Sequence, residues 1–329
     1  MPTNNITLDE IASFFRDNDG FLLLCHRRPD GDTLGSALGL MRALRYLGKT
    51  AYIACEHDPS ANTRFLFEED EADLADYGEE NLLPVAIDIA ERSLLGALEA
   101  AYGDRTVLKI DHHATGEDFA TYNYTDPAAA ACGEIVCDLI GRLGIPLSLA
   151  AAPLYAALSS DTGGFRYSNT TAATHRLAAA LLEAGADNAY IDHKLFESRT
   201  QSEIRALTAA YSGLRYFHDG TVAAVVISNQ IKERLQLREE DLGVLSAITR
   251  EIDGVIVGIT VKQNRTEPQR FKISVRSEPG FPANTLCALF GGGGHACAAG
   301  AEVTASSPDK ALLAVVRHIG FRDGVLTVI

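Results

Sequence analysis

Four short stretches of this chain gather the side chains that bind divalent metal ions. His26-Arg27-Arg28-Pro29-Asp30-Gly31-Asp32 puts one imidazole and two carboxylates within seven residues, and Pro29 with Gly31 permits a tight turn that aims alternate side chains at one point. Asp88 stands alone after the apolar run Pro84–Ile87. Asp111-His112-His113 follows the apolar run Thr106–Ile110, and Asp161 lies in Ser159-Ser160-Asp161-Thr162-Gly163-Gly164-Phe165. Mixed oxygen and imidazole donors suit manganese, magnesium, iron or zinc, with hard carboxylates favouring the first two. Each stretch also has a plain structural reading. Asp32 would cap the helix that follows it, Asp88 would be a turn residue, and Asp161 would end a helix with Gly163 as its stop. The Asp-His-His triplet resists such a reading, because three adjacent ionisable residues after an apolar strand are costly unless solvated or liganded.

The elements that must position these residues are legible in the apolar pattern. Phe21–Cys25 reads as a buried strand, and Thr33–Leu47 as a helix with Leu34, Leu38, Met41 and Leu44 on one face and Gly48 as its stop. Ala51–Ala54, Pro84–Ile87 and Thr106–Ile110 are further strands, with helices near Glu91–Tyr102, Gly133–Leu143 and Thr171–Ala184. Strands separated by helices favour a parallel sheet covered on both faces. Ligands of such sheets sit beyond the carboxyl ends of the strands. Three predicted strands deliver an imidazole or carboxylate at that end, and this shared position binds the stretches into one constellation.

The chain has 329 residues, enough for two domains at about 150 residues each. Hydrophobic residues make up 47%, so packed cores are expected, and 29 basic against 44 acidic residues leave a net charge of −15. Such a surface repels polyanions and excludes a protein that coats duplex nucleic acid, but not a small phosphorylated substrate at a local basic or metal-bearing site. The start of the chain lacks a basic stretch leading into an apolar one, and no apolar run reaches the 18 or so residues of a membrane span. The six cysteines include no CxxC pair. A cytoplasmic protein with reduced, buried thiols is expected.

From about Leu214 the pattern changes. Tyr216–His218 and Thr221–Ile227 flank Asp219-Gly220, a two-residue hairpin signal. Val255–Lys262 and Arg270–Arg276 are alternating strands, and Asp309–Gly320 is a closing helix. The expectation is an α/β fold: residues 1–187 forming a mostly parallel sheet flanked by helices, a polar helical connector over 188–213, and a smaller α+β domain with an antiparallel sheet over 214–329. Within that second domain Arg270, Lys272, Ser274 and Arg276 share one strand face, with Lys262 ending the neighbouring strand on the corresponding side. Four glycines, Gly291 to Gly294, precede His295 and allow backbone N–H groups to approach an anion closely.

In this order the four stretches resemble the metal-binding motifs of the DHH phosphoesterase superfamily. Phe290-Gly291-Gly292-Gly293-Gly294-His295-Ala296-Cys297-Ala298-Ala299-Gly300 is similar to the glycine-rich signature of the DHH-associated domain. The motifs run from residue 26 to residue 300, and length fits the NrnA-like oligoribonuclease and pAp (3′-phosphoadenosine 5′-phosphate) phosphatase subgroup. Ile89 departs from the small hydroxylated residue that often follows the second motif's aspartate. The resemblance implies two divalent ions, manganese first, with magnesium or cobalt as alternatives. His26, Asp30 and Asp88 would hold one ion; Asp32, Asp88, His112 and Asp161 would hold the other, with Asp88 bridging. Two ions about 4 Å apart can trap a water, lower its pKa and neutralise charge on a phosphoryl group. Asp111 would orient a ligand imidazole. His113 would contact the phosphate or assist the leaving group. Arg276 and His295 match the positions that grip the substrate, beside Gly292, Gly293, Gly294, Arg270 and Lys272. The implied substrates are very short single-stranded RNA or pAp, with linear dinucleotides close behind and a homodimer expected by analogy. A DHH-type pyrophosphatase and a non-catalytic nucleotide sensor are the competing readings.

Overall fold

Phe21, Leu22, Leu23 and Leu24 are all buried, as a strand covered on both faces requires. They form β2 of the parallel sheet that organises the first half of the protein. The structure, a computed structural model, describes residues 4–68, 81–246 and 248–329, apart from the side chains of Arg250 and His295. It divides into two units, Met1–Ser198 and Arg199–Ile329. Among the described residues no helix is long and apolar enough to cross a membrane.

The first unit runs β1 (Asn4–Asn5), α1 (Leu8–Asp17), β2 (Phe21–Leu24), α2 (Gly31–Tyr46), β3 (Ala51–Ala54), β4 (Leu83–Ile87), α3 (Leu98–Tyr102), β5 (Leu108–Asp111) and β6 (Tyr122–Thr125). It continues with α4 (Cys132–Leu143), α5 (Ala151–Asp161), α6 (Ala172–Glu183) and α7 (Asn188–Asp192). The sheet order is β1-β6-β5-β4-β2-β3, with every pair parallel. One large core, including Leu34, Leu38, Met41, Ile135 and Leu154, lies on one face; a smaller one, including Leu22, Leu24, Leu95 and Tyr102, lies on the other.

One helix pair does most to place the metal-type residues. Gly31, Gly35 and Gly39 repeat at four-residue spacing along α2, so they share a face. A Cβ at Gly31 would come within 2.6 Å of the Ser160 side chain, one at Gly35 would run into the Pro153 carbonyl, and one at Gly39 would meet Leu154. The glycines let α2 and α5 cross in antiparallel contact, bringing the start of α2 against the end of α5 at Asp161.

The expected helix over Glu91–Tyr102 is broken: a 3₁₀ turn over Arg92–Leu95 stops at Gly96, whose φ is +60°, and α3 begins only at Leu98. The 188–213 stretch is not a separate connector. Helix α7 is tied to α5 in the first unit, because the Ser159 hydroxyl donates to Asp192 at 2.5 Å and the Tyr155 hydroxyl does so at 3.2 Å. Helix α8 (Gln201–Ser212) belongs to the second unit.

That unit continues with β7 (Arg215–Phe217), β8 (Val222–Ile227), α9 (Asn229–Leu235), β9 (Val257–Gln263) and β10 (Arg270–Ser277). It ends with α10 (Ala283–Ala288), β11 (Gly293–His295), β12 (Ala298–Thr304), α11 (Pro308–Val316), β13 (Ile319–Arg322) and β14 (Val325–Val328). The main sheet is β11-β12-β10-β9-β8-β7. It is mixed rather than antiparallel, because β8 and β9 pair in parallel. Residues 228–256 between them supply the long crossover that a parallel pair needs. The β7–β8 hairpin forms, but Phe217 pairs with Val222, so its loop has four residues; His218, Asp219 and Gly220 all take positive φ.

Candidate active site

Helix α2 starts at Gly31, and its cap is Asp30: the carboxylate accepts from the backbone N–H groups of Asp32 at 3.0 Å and Thr33 at 3.1 Å. Asp32, expected as a cap for this helix, is instead its fully buried second residue and caps a different one. Its two oxygens accept from the N–H groups of Cys132 at 2.7 Å and Gly133 at 3.0 Å, the first residues of α4. Ala131 precedes that helix with no side-chain acceptor of its own, so Asp32 satisfies amides that would otherwise be orphaned. The Ser36 hydroxyl also donates to Asp32, at 3.0 Å.

Asp88 follows β4 with φ +59°, a left-handed conformation that aspartate tolerates better than most residues. Its N–H donates to the Ile110 carbonyl, and the Thr33 hydroxyl donates to the Ile87 carbonyl just before it, locking α2, β4 and β5 together at one point. Asp88 is 3% exposed and its Oδ1 makes no hydrogen bond. That oxygen lies 3.5 Å from His112 Nε2 and 3.7 Å from His113 Nδ1, while Oδ2 lies 4.0 Å from His26 Nε2. His112 Nε2 is 3.6 Å from both Asp32 Oδ2 and Asp161 Oδ2, and His26 Nε2 is 3.7 Å from Asp30 Oδ1.

The ligand-type atoms therefore converge as three overlapping groups: His26 with Asp30 and Asp88; Asp32 with His112 and Asp161; and Asp88 with His112 and His113. Burial first, then the charges of Asp32, Asp30 and Asp161, push the Asp88 carboxyl well above the usual carboxylate range. Asp32 is raised by burial and then by Asp161 and Asp30. Asp161 is raised by burial, with His112 partly opposing. Buried carboxylates crowded this closely cannot all ionise without a counter-charge. The orphaned Asp88 oxygen and the mixed carboxylate–imidazole donor set fit divalent cations.

Asp111 ends β5 and is fully buried. Its Oδ1 meets His113 Nδ1 at 2.7 Å, so the imidazole it orients is that of His113, which shares one of the three groups with Asp88 and His112. His112 is oriented instead by the Ala129 carbonyl, 3.2 Å from its Nδ1. The Asp111 hydrogen bond, set against the opposing effect of burial, holds His113 above the usual imidazole range. Asn169 clasps the neighbourhood by donating to the carbonyls of Ala130 and Asp161.

In the second unit the strand face expected to be basic forms as read. Arg270, Lys272, Ser274 and Arg276 alternate with buried Phe271, Ile273 and Val275. Lys272 stands directly across from Lys262. Burial, then Lys272, bring the Lys262 ammonium down to about 8. Arg270 is engaged by two carboxylates, Glu267 at 2.7 Å and Glu302 at 2.9 Å, which leaves it poorly placed to receive a substrate anion. The glycine run is not an open loop: Gly293 pairs with Gly300, Gly294 with Ala299 and His295 with Ala298. A Cβ at Gly292 would collide with β12, and one at Gly294 would meet the Ala298 carbonyl, so two of these glycines are demanded by strand packing. The His295 side chain lies outside the described residues.

The sequence pattern of the DHH family, N-terminal domain, matches residues 21–158, and that of the DHHA1 domain matches residues 220–319. A Thermus thermophilus protein named bifunctional oligoribonuclease and PAP phosphatase NrnA is 33% identical over 306 residues, covering 92% of this chain and 90% of its own. The chain belongs to the DHH family. A Bacillus subtilis protein of the same name is 26% identical over 289 residues, covering 87% of this chain and 90% of its own. Among solved structures, an exopolyphosphatase-related protein from Bacteroides fragilis shares the fold with a TM-score of 0.85, at 22% identity and over 94% of this chain and 95% of its own. The exonuclease RecJ bound to manganese has a TM-score of 0.52 at 18% identity, covering 96% of this chain and 94% of its own. Membership of the DHH family makes this chain a phosphoesterase-type hydrolase; in the structure His26, Asp30, Asp32, Asp88, His112, His113 and Asp161 make up the groups that could hold a metal ion.

Proposed function

We propose that this DHH-family protein hydrolyses very short oligoribonucleotides to mononucleotides and converts pAp to AMP, using two divalent ions, manganese foremost. The observation that carries this reading is the buried Asp88 carboxylate, which faces His26 through one oxygen and His112 and His113 through the other. A carboxylate so placed can serve two cations at once. The relatives named as oligoribonucleases and PAP phosphatases, matched over most of their length, support the substrate class. The manganese-bound RecJ fold supports the ion.

Divalent ions bound by these residues supply activation of water and charge neutralisation at the phosphoryl group. The chain's own residues do the rest. Asp32, pinned by the amides of α4, and Asp161, at the end of α5, hold fixed positions on either side of His112. His113, its Nδ1 hydrogen-bonded to Asp111, which raises its affinity for a proton, keeps Nε2 for the substrate, fit for a phosphoryl oxygen or a leaving alkoxide. In the second unit Lys262 and Lys272 stand directly across from each other on neighbouring strands, and an anion on that face would offset their like charges. With Arg276 on the same face they form the nucleotide-holding surface.

The test is release of mononucleotide from a 5′-labelled RNA trimer, and of AMP from pAp, with manganese and with chelator. Turnover on pyrophosphate alone would replace this reading with the pyrophosphatase one.

A further inference from the structure

Lysine is rarely fully buried, yet Lys109 is only 2% exposed in the middle of β5. Strand geometry explains its placement. Leu108 and Ile110 face the large core, so Lys109 and Asp111 share the opposite face at two-residue spacing. Lys109 Nζ donates to the Glu117 carbonyl at 3.0 Å and stands 3.6 Å from Asp111 Oδ2 and 3.7 Å from Asp118 Oδ1. Asp111 Oδ2 is buried and makes no hydrogen bond, so the ammonium is the positive charge facing that oxygen. The other oxygen of the same carboxylate accepts from the backbone N–H of His112 at 2.9 Å and lies 2.7 Å from His113 Nδ1.

We propose that Lys109 is a positioning residue for the phosphoester hydrolysis: it fixes the rotation of the Asp111 carboxylate, which in turn fixes the His113 imidazole over Asp88. The inference rests on the hydrolase reading above and adds a residue outside the ligand-type groups. A buried carboxylate facing an orienting charge on one side only can turn; one held from both sides cannot. Lys109 reaches none of the metal-type residues His26, Asp30, Asp32, Asp88, His112 or Asp161 through a hydrogen bond or ion pair among the described residues, so its removal leaves the metal donors in place.

The experiment compares the wild type with Lys109→Met and Lys109→Gln. Glutamine keeps a polar N–H donor on this face and drops the charge. With an RNA trimer and manganese, both variants should lose about 10–100-fold in kcat, the range seen when residues supporting a catalytic group are removed. KM should stay within about two-fold, and manganese affinity by calorimetry within about three-fold, if the effect runs through His113 alone. In a His113→Ala background the same substitutions should cost less than about two-fold, since their effect passes through the missing ring. Equal losses in both backgrounds, loss of manganese binding, or wild-type kcat in Lys109→Gln would each overturn the proposal. If Lys109→Met unfolds, Lys109→Gln decides. A wild type inactive on RNA and pAp would instead overturn the hydrolase reading itself.

Discussion

Asp32 Oδ2 accepts a hydrogen bond from the Cys132 N–H at 2.7 Å while standing 3.6 Å from His112 Nε2. The carboxylate of one helix's first turn thus caps a second helix and presents itself to the imidazole that follows β5. This shared duty makes the site a property of the fold: α2, α4, α5 and the parallel sheet cannot shift independently without separating Asp32 from His112 and Asp161.

Crowded carboxylates make the metal-free protein weaker than it could be. Asp88 and Asp32 titrate above their ordinary range, so the folded state holds more protons than the unfolded one as pH rises from the usual aspartate value. Stability from these protons is full below that value and is lost as pH rises through the raised ones. Asp88→Asn should therefore stabilise the metal-free chain at neutral pH by about 1–3 kcal/mol and abolish stabilisation by manganese. Denaturant unfolding with and without manganese checks both; a destabilised, still metal-responsive variant contradicts the assignment.

The two histidines of the triplet have separable duties. His112→Ala should weaken manganese binding by at least about 10-fold, as loss of one donor requires. His113→Ala should keep manganese affinity within a few-fold and lose about 10²–10⁴-fold in kcat, the usual range for a proton-transfer group. Calorimetry beside steady-state kinetics separates the two. Equal loss of metal binding would make His113 a ligand.

Much of this site was legible in the sequence because apolar strands advertise themselves and β2, β4 and β5 each lead within two residues to an imidazole or carboxylate. His26, Asp88 and the Asp-His-His triplet could be placed at one sheet edge without coordinates. The capping role of Asp32 was not legible, since its partners are backbone amides 100 residues away; the lack of a capping side chain at Ala131 was the available hint. Lys109 gave no signal of its own within the apolar run Thr106–Ile110. Strand β6, polar in Tyr122-Asn123-Tyr124, gave no apolar signal. The parallel pairing of β8 with β9 escaped because hairpin chemistry at Asp219-Gly220 says which strand precedes β8, not which lies on its other side.

The glycine stripe of α2 is the mechanical basis of the site. Gly35→Ala forces a methyl against the Pro153 carbonyl and the Ala157 backbone. It should cost about 1–3 kcal/mol, as overpacking does, and weaken manganese binding by moving Asp161 away from Asp32. Wild-type manganese affinity in a destabilised Gly35→Ala protein would uncouple the helix contact from the site.

The basic strand face makes its own distinction. Arg270, engaged by Glu267 and Glu302, should tolerate alanine with KM for the RNA trimer changed by less than about two-fold, the scale of an exposed ion pair. Arg276→Ala should raise KM about 10-fold or more, as loss of a charged contact to phosphate does. Substrate affinity should also fall as pH rises through about 8, where Lys262 gives up its proton. KM measured for both variants across pH decides this. A larger effect at Arg270 than at Arg276 would move the anion site along the strand.

The central claim is that the Asp88-centred group hydrolyses phosphoester bonds in very short RNA. Incubating a 5′-labelled RNA trimer with the wild type and Asp88→Asn, with manganese and with chelator, tests it most directly. The expected result is manganese-dependent release of mononucleotide by the wild type and at least a thousand-fold less by Asp88→Asn, roughly the scale of losing a catalytic metal centre. Trimer cleavage that persists in Asp88→Asn, or in chelator, would contradict the account.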